Sequence, residues 1–205
     1  MLSMEYPGYG LYIGEPSADK ILRDAETVFD YLQYQIGVPP DDILLFGRSI
    51  GSGPATHLAS RRNVGALILM SPYTSIKAVA REIAGAVGSL VVADRFRNID
   101  AIRKVYSPTY FIHGQKDRLI PFSHTVELMN NCGGICGMNL PENMTHDDYL
   151  LEEHLTKPIA KFLSKCEFEI NMGKKFYEIP RELYKQPDSL KGKKNRRTFI
   201  ARMFD

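Results

Sequence analysis

An apolar run, Ile43 to Phe46, leads into Gly47-Arg48-Ser49-Ile50-Gly51, and a helix-like segment begins at Ile50. This feature restricts the fold more than any other in the chain. A strand that turns into a helix over one serine, with a glycine two positions to either side, requires the two backbones to pass close together. The serine then sits in a forced turn, with its hydroxyl lifted above the sheet. The N–H of Ile50 falls at a helix N-terminus, where it can face an oxyanion. Ile43–Gly47 is apolar on both faces, the pattern of a central parallel strand.

The remaining pattern supplies a sheet for this turn. Ala66–Met70 and Thr109–Gly114 read as further buried strands, with a weaker one near Met138–Leu140. Met1–Tyr6 reads as the end of a strand, before a turn at Pro7-Gly8-Tyr9-Gly10. Ser17 is placed to cap a helix whose Ile21, Leu22, Ala25, Val28, Phe29 and Leu32 share one face. Further helices are predicted from the elbow to about Arg62, within Ser75–Ala93, over Phe122–Asn131, and over Asp147–Leu163. Alternating strands and helices predict an α/β fold, a mostly parallel sheet with helices on both faces.

Chemistry in such a sheet gathers at the carboxyl ends of its strands. Asp117 lies just past the third central strand, in "FIHGQKDRLIP", where a carboxylate can fix the tautomer of an imidazole. His146 lies in "PENMTHDDY", just before the predicted last helix, and can take the Ser49 proton and return it to a leaving group. The order Ser, Asp, His is that of the α/β hydrolases. Asp147 and Asp148 compete with Asp117 as acids, but as neighbours of His146 they are expected to open the helix. His113, at a strand end, and His124, close to Asp117, are candidates for supporting the site from behind. Arg48 is expected to be oriented by packing. The bland alternative keeps the elbow for packing, with Ser49 as a helix cap.

Composition bounds the partners. Residues 173–205 hold ten Lys/Arg and four Asp/Glu, a charge of +6, while the rest of the chain carries −4. The body, residues 1–165, is expected to be the hydrolase domain and residues 166–205 a poorly ordered basic tail that favours an anionic membrane surface. No nucleic-acid partner is expected. No apolar run reaches the roughly 18 residues of a membrane span. The opening residues lack a signal-peptide pattern, and the three cysteines are odd in number, so reduced thiols and a cytoplasmic location, peripheral on membranes, are expected. Cys132 and Cys136 lack a second ligand pair of suitable spacing, so no metal is expected, and the chemistry calls for no cofactor.

The segments "EYPGYGLYIGEPS", "ILLFGRSIGSGPATHLASR", "SPTYFIHGQKDRLIPFSH" and "MTHDDY" resemble the α/β-hydrolase-domain proteins of subfamily 17, with subfamily 13 a close second. The resemblance covers roughly Glu5 to Leu163 and includes Pro54, near the start of the elbow helix. It implies a serine hydrolase that removes palmitate from protein thioesters, with Ser49 as nucleophile, Asp117 as acid and His146 as base. It also implies earlier strands, one ending in a loop that gives the oxyanion a second N–H, and a Cys-rich membrane anchor. Only six residues precede Pro7, so the chain is expected to be N-terminally truncated, with those strands missing and a weakened activity.

The expected substrate is therefore an acylated protein or a small acyl ester. A peptidase-like enzyme or general carboxylesterase is the first alternative, because one triad serves many substrates. A non-catalytic interaction module is the second. Ile83–Ala93 is apolar and could line an acyl pocket or simply pack in the core.

Overall fold

The computed structural model describes residues 1–168 and 177–181. Most of the expected basic tail therefore lies outside the described residues. Backbone packing separates a unit bounded by Val38 and Lys174 from a second unit that contains Met1–Gly37.

In the second unit, α1 spans Ala18–Tyr34 and buries Ile21, Ala25 and Phe29 at helical spacing. Ser17 caps it, its side chain accepting from the Lys20 N–H at 3.4 Å. The strand expected at Met1–Tyr6 is absent. The Glu5 carboxylate instead accepts from the Leu11 N–H at 3.0 Å, and Tyr9 N–H bonds Tyr6 O, so this stretch is tied into the turn that follows it.

The larger unit is an alternating α/β structure. Its elements are β1 Leu44–Arg48, α2 Ser52–Ala59, β2 Ala66–Met70, α3 Ile76–Gly88, α4 Asn98–Ala101, β3 Thr109–Ile112, α5 Ser123–Asn130, β4 Cys136–Asn139 and α6 Lys157–Lys165. The strands form one parallel sheet in the order β1-β2-β3-β4. All residues of β2 and β3 are buried, as befits strands covered on both faces. Helix α2 packs on β1 and β2. Ala66, Ile68, Met70, Tyr110 and Ile112 form a core cluster with Met144, Leu155, and Phe162 and Leu163 of α6. Tyr110 stacks on Phe162 at 4.7 Å between ring centroids. Phe168 packs against this cluster and its N–H bonds Leu163 O, so the folded body extends past Lys165.

Without earlier strands beside it, the apolar strand at the elbow is outermost among the described strands: β1 pairs with β2 alone, and Leu44 and Phe46 are exposed. A further expectation is corrected. The last helix does not begin at Asp147. Residues 145–148 form a tight turn, in which Thr145 N–H bonds Asp148 O and Asp148 N–H bonds Thr145 Oγ1. A π-helical stretch, Leu151–Thr156, then leads into α6, whose first turn holds Pro158, a residue with no N–H to satisfy there. Pro54 is explained in the same way, since α2 starts at Ser52 and the proline falls in its first turn.

Candidate active site

Ser49 follows β1 directly and holds φ at +50°, left-handed backbone that costs a non-glycine residue on the order of 1–3 kcal/mol. The neighbouring packing enforces it. A Cβ on Gly47 would stand 2.6 Å from Gly51 O and 2.8 Å from the Ala55 Cβ, so only glycine lets strand and helix meet this closely. Ile50 lies in the helical turn Ser49–Gly51 that leads into α2, with its N–H in the first turn, where positive dipole accumulates. Tyr73 O–H donates to Ile50 O at 3.3 Å and steadies that turn.

Asp117 is held in a turn just past β3. Its Oδ1 accepts the N–H groups of Leu119 and Ile120, both at 2.9 Å. Its Oδ2 lies 2.7 Å from His146 Nδ1 and 3.3 Å from His113 Nε2. Burial acts to raise the Asp117 carboxyl, but the bonds from His113, His146 and the Ile120 N–H outweigh it and hold the group well below the usual carboxylate range. An ionised carboxylate only accepts, so His146 Nδ1 carries the proton and Nε2 is left as an acceptor. That nitrogen lies 3.1 Å from Ser49 Oγ, so the serine hydroxyl donates to it. The structure thus joins Ser49, His146 and Asp117 in one hydrogen-bonded line, and the His146 side chain is nearly buried, at 11% exposed.

The supporting histidines divide. His113 is fully buried; its Nε2–H faces Ile120 O at 2.7 Å, and its Nδ1 accepts from Thr125 Oγ1 at 2.6 Å, which fixes its tautomer behind Asp117. His124 turns elsewhere: its Nδ1 meets Thr74 Oγ1 at 2.9 Å and its Nε2 lies 3.5 Å from a Glu82 carboxylate oxygen. Burial pushes the His124 pKa down. Asp147, one of the competing acids, bonds Arg48 and not the imidazole. A close approach also joins the Asp117 and His146 loops: a Cβ on Gly114 would lie 2.1 Å from Met144 O, and Lys116 N–H bonds that same oxygen. The sequence reading overlooked Gly114 and left Arg48 to packing, because their partners lie far along the chain.

Among the described residues, no group of three or more His, Cys, Asp or Glu side chains is placed to hold a metal ion. Cys132, Cys136 and Cys166 are free thiols, and burial raises the pKa of Cys136 and Cys166. No described helix is long and apolar enough to cross a membrane.

A parallel sheet with a serine at its strand-to-helix elbow, an acid past a later strand and a histidine after that acid defines an α/β-hydrolase fold. Solved structures agree. Est1E from Butyrivibrio proteoclasticus superposes with a TM-score of 0.63 over 78% of this chain and 74% of its own, at 21% identity. Mouse α/β hydrolase domain-containing protein 10 gives 0.59 over 79% and 76%, at 19% identity. Sequence relatives narrow the class. Alpha/beta hydrolase domain-containing protein 17C of Xenopus tropicalis is 35% identical over 164 residues, 80% of this chain and 52% of that protein. The human 17C protein is 34% identical over 80% of this chain and 49% of its own length. No protein-family profile matches. The chain is similar in sequence to these 17C proteins over most of its own length and spans about half the length of the curated relatives it matches.

Proposed function

We propose that the chain carries the catalytic centre of a serine hydrolase that cleaves acyl thioesters or esters, most specifically palmitoyl thioesters on proteins. The observation that carries the reading is the line Ser49 Oγ, His146 Nε2, His146 Nδ1, Asp117 Oδ2, with gaps of 3.1 and 2.7 Å at its two hydrogen bonds. Ser49 Oγ attacks the acyl carbonyl carbon while its proton passes to His146 Nε2. The carbonyl oxygen becomes an oxyanion facing the Ile50 N–H. The intermediate collapses, the carbon–sulfur bond breaks, and the imidazolium protonates the departing thiolate. Water then attacks the acyl-serine, giving its proton to His146, which returns it to Ser49 as the fatty acid leaves. Asp117 stays ionised throughout and holds the imidazole. The choice of a long acyl chain rests on the subfamily 17 resemblance, and the exposed Ile83, Val87, Leu90 and Val91 on and just after α3 favour an apolar ligand.

Turnover of acyl thioesters of increasing chain length tests this reading. The expected result is a preference for long chains that disappears in Ser49→Ala. A preference for acetyl esters would favour a general carboxylesterase. Wild-type turnover in Ser49→Ala would remove the serine from the mechanism.

A further inference from the structure

We propose that Arg48, the residue just before the nucleophile in the elbow, is a positioning residue that holds the His146 loop at its working distance from Ser49. This deepens the reading just given and rests on it. The arginine is adjacent to the nucleophile, and its guanidinium reaches across to the other end of the hydrogen-bonded line. Its Nη2 donates to the backbone carbonyl of His146 at 2.7 Å and to Asp147 Oδ1 at 2.6 Å. Its guanidinium carbon lies 5.7 Å from the centre of the Tyr149 ring, within range of a cation–π contact. Three of four consecutive loop positions, 146, 147 and 149, are thus engaged by one side chain.

The geometry makes this more than a surface ion pair. Asp147 is largely exposed, and an exposed ion pair contributes little by itself. The bond that matters is to the carbonyl of the histidine itself, because it fixes the backbone from which the imidazole projects. The side chain is one-third exposed overall, yet its Nε is buried and has no hydrogen-bond partner among the described residues. A buried donor left unpaired is unfavourable, so the guanidinium is oriented by its engaged end. The His146 loop is otherwise supported by short-range bonds, such as Thr145 N–H to Asp148 O, and by its ties to the Asp117 loop: the His146–Asp117 bond, Lys116 N–H to Met144 O and the passage of Met144 against Gly114. These hold the turn together but do not tie it to β1. Arg48 supplies that tie, and it moves with Ser49. A charge alone does not reproduce it: both bonds come from the one Nη2, held in place by a planar guanidinium that also lies over the Tyr149 ring, whereas lysine carries its ammonium on a flexible stem without that preorganisation.

Displacing a reacting group by about 1 Å can cost about 100-fold in rate. Arg48→Gln in the full chain is therefore expected to slow fluorophosphonate labelling of Ser49 by about 10–100-fold, through the reaction step and not through probe affinity. Arg48→Lys is expected to restore only part of the rate. Exogenous guanidinium is expected to rescue an Arg48→Ala chain. Amide hydrogen exchange gives a readout independent of activity: exchange should rise at Thr145, Asp148 and Leu150 and stay unchanged in β2 and β3. An unchanged labelling rate, an unchanged loop exchange, or a loss of protection spread through β2 and β3 would each overturn the proposal. Ser49→Ala measured alongside separates the two readings. Labelling that survives that substitution refutes the nucleophile, while the loop exchange still decides whether Arg48 ties the loop.

Discussion

Asp117 is the residue on which the electrostatics of the site turn. Its carboxyl sits well below the ordinary value of 3.8 because two histidines and a backbone N–H stabilise the charged form against the opposing effect of burial. The depressed folded-state pKa means that ionised Asp117 stabilises the fold above about pH 4, and this contribution is lost as pH falls below the unfolded value toward the folded one. Thermal midpoints measured from pH 6 to pH 2 are expected to fall more steeply for the wild-type chain than for Asp117→Asn. Parallel slopes would show that Asp117 is not the group that couples stability to acid. At this scale the sequence was informative where chemistry and chain order coincide. Ser49, Asp117 and His146 stood out because each follows a strand in the order a hydrolase requires. Arg48 did not, because its partners lie 98 and 99 positions away and nothing local distinguishes a tethering arginine from an exposed one.

Among the elements, the loops that carry Asp117 and His146 are joined through Gly114. Any side chain there meets the Met144 backbone, which cannot swing aside as a flexible side chain could. Gly114→Ala is expected to destabilise the chain by about 1–3 kcal/mol, as overpacking does, and to slow Ser49 labelling by displacing the His146 loop. Denaturant melts together with labelling rates check it, and a neutral result in both would mean the loops can separate at no cost. The buried strands were legible because Ala66–Met70 and Thr109–Ile112 are continuous apolar runs bounded by turn residues. The start of the last helix was not. Asp147 and Asp148 ahead of an apolar pattern look like a helix N-terminus, but Arg48 and the Thr145–Asp148 turn claim them, and the helix waits for Pro158.

For the whole molecule, the arrangement of the sheet sets the behaviour in solution. The outermost β1 leaves one backbone edge without a strand partner among the described residues, and Leu44 and Phe46 expose apolar surface beside it. Such an edge is a template for pairing with another chain. The chain is expected to self-associate as its concentration rises, and Phe46→Lys to shift it toward monomer without altering the fold. Light scattering across a concentration series reads this, and an association unchanged by the substitution would place the contact elsewhere. Strand identity could be read from apolar runs, and the position of β1 at the margin followed from the expectation that the earlier strands are missing. Apolarity on both faces says that a strand suits burial, not that both neighbours are present.

The central claim is that Ser49 forms the covalent intermediate. Intact-mass measurement after a fluorophosphonate, followed by peptide mapping, tests it most directly in wild type, Ser49→Ala and His146→Ala. The account predicts one adduct, on Ser49, absent from Ser49→Ala and slowed by several orders of magnitude in His146→Ala. An adduct of equal rate in Ser49→Ala, or one mapped to another residue, would contradict it.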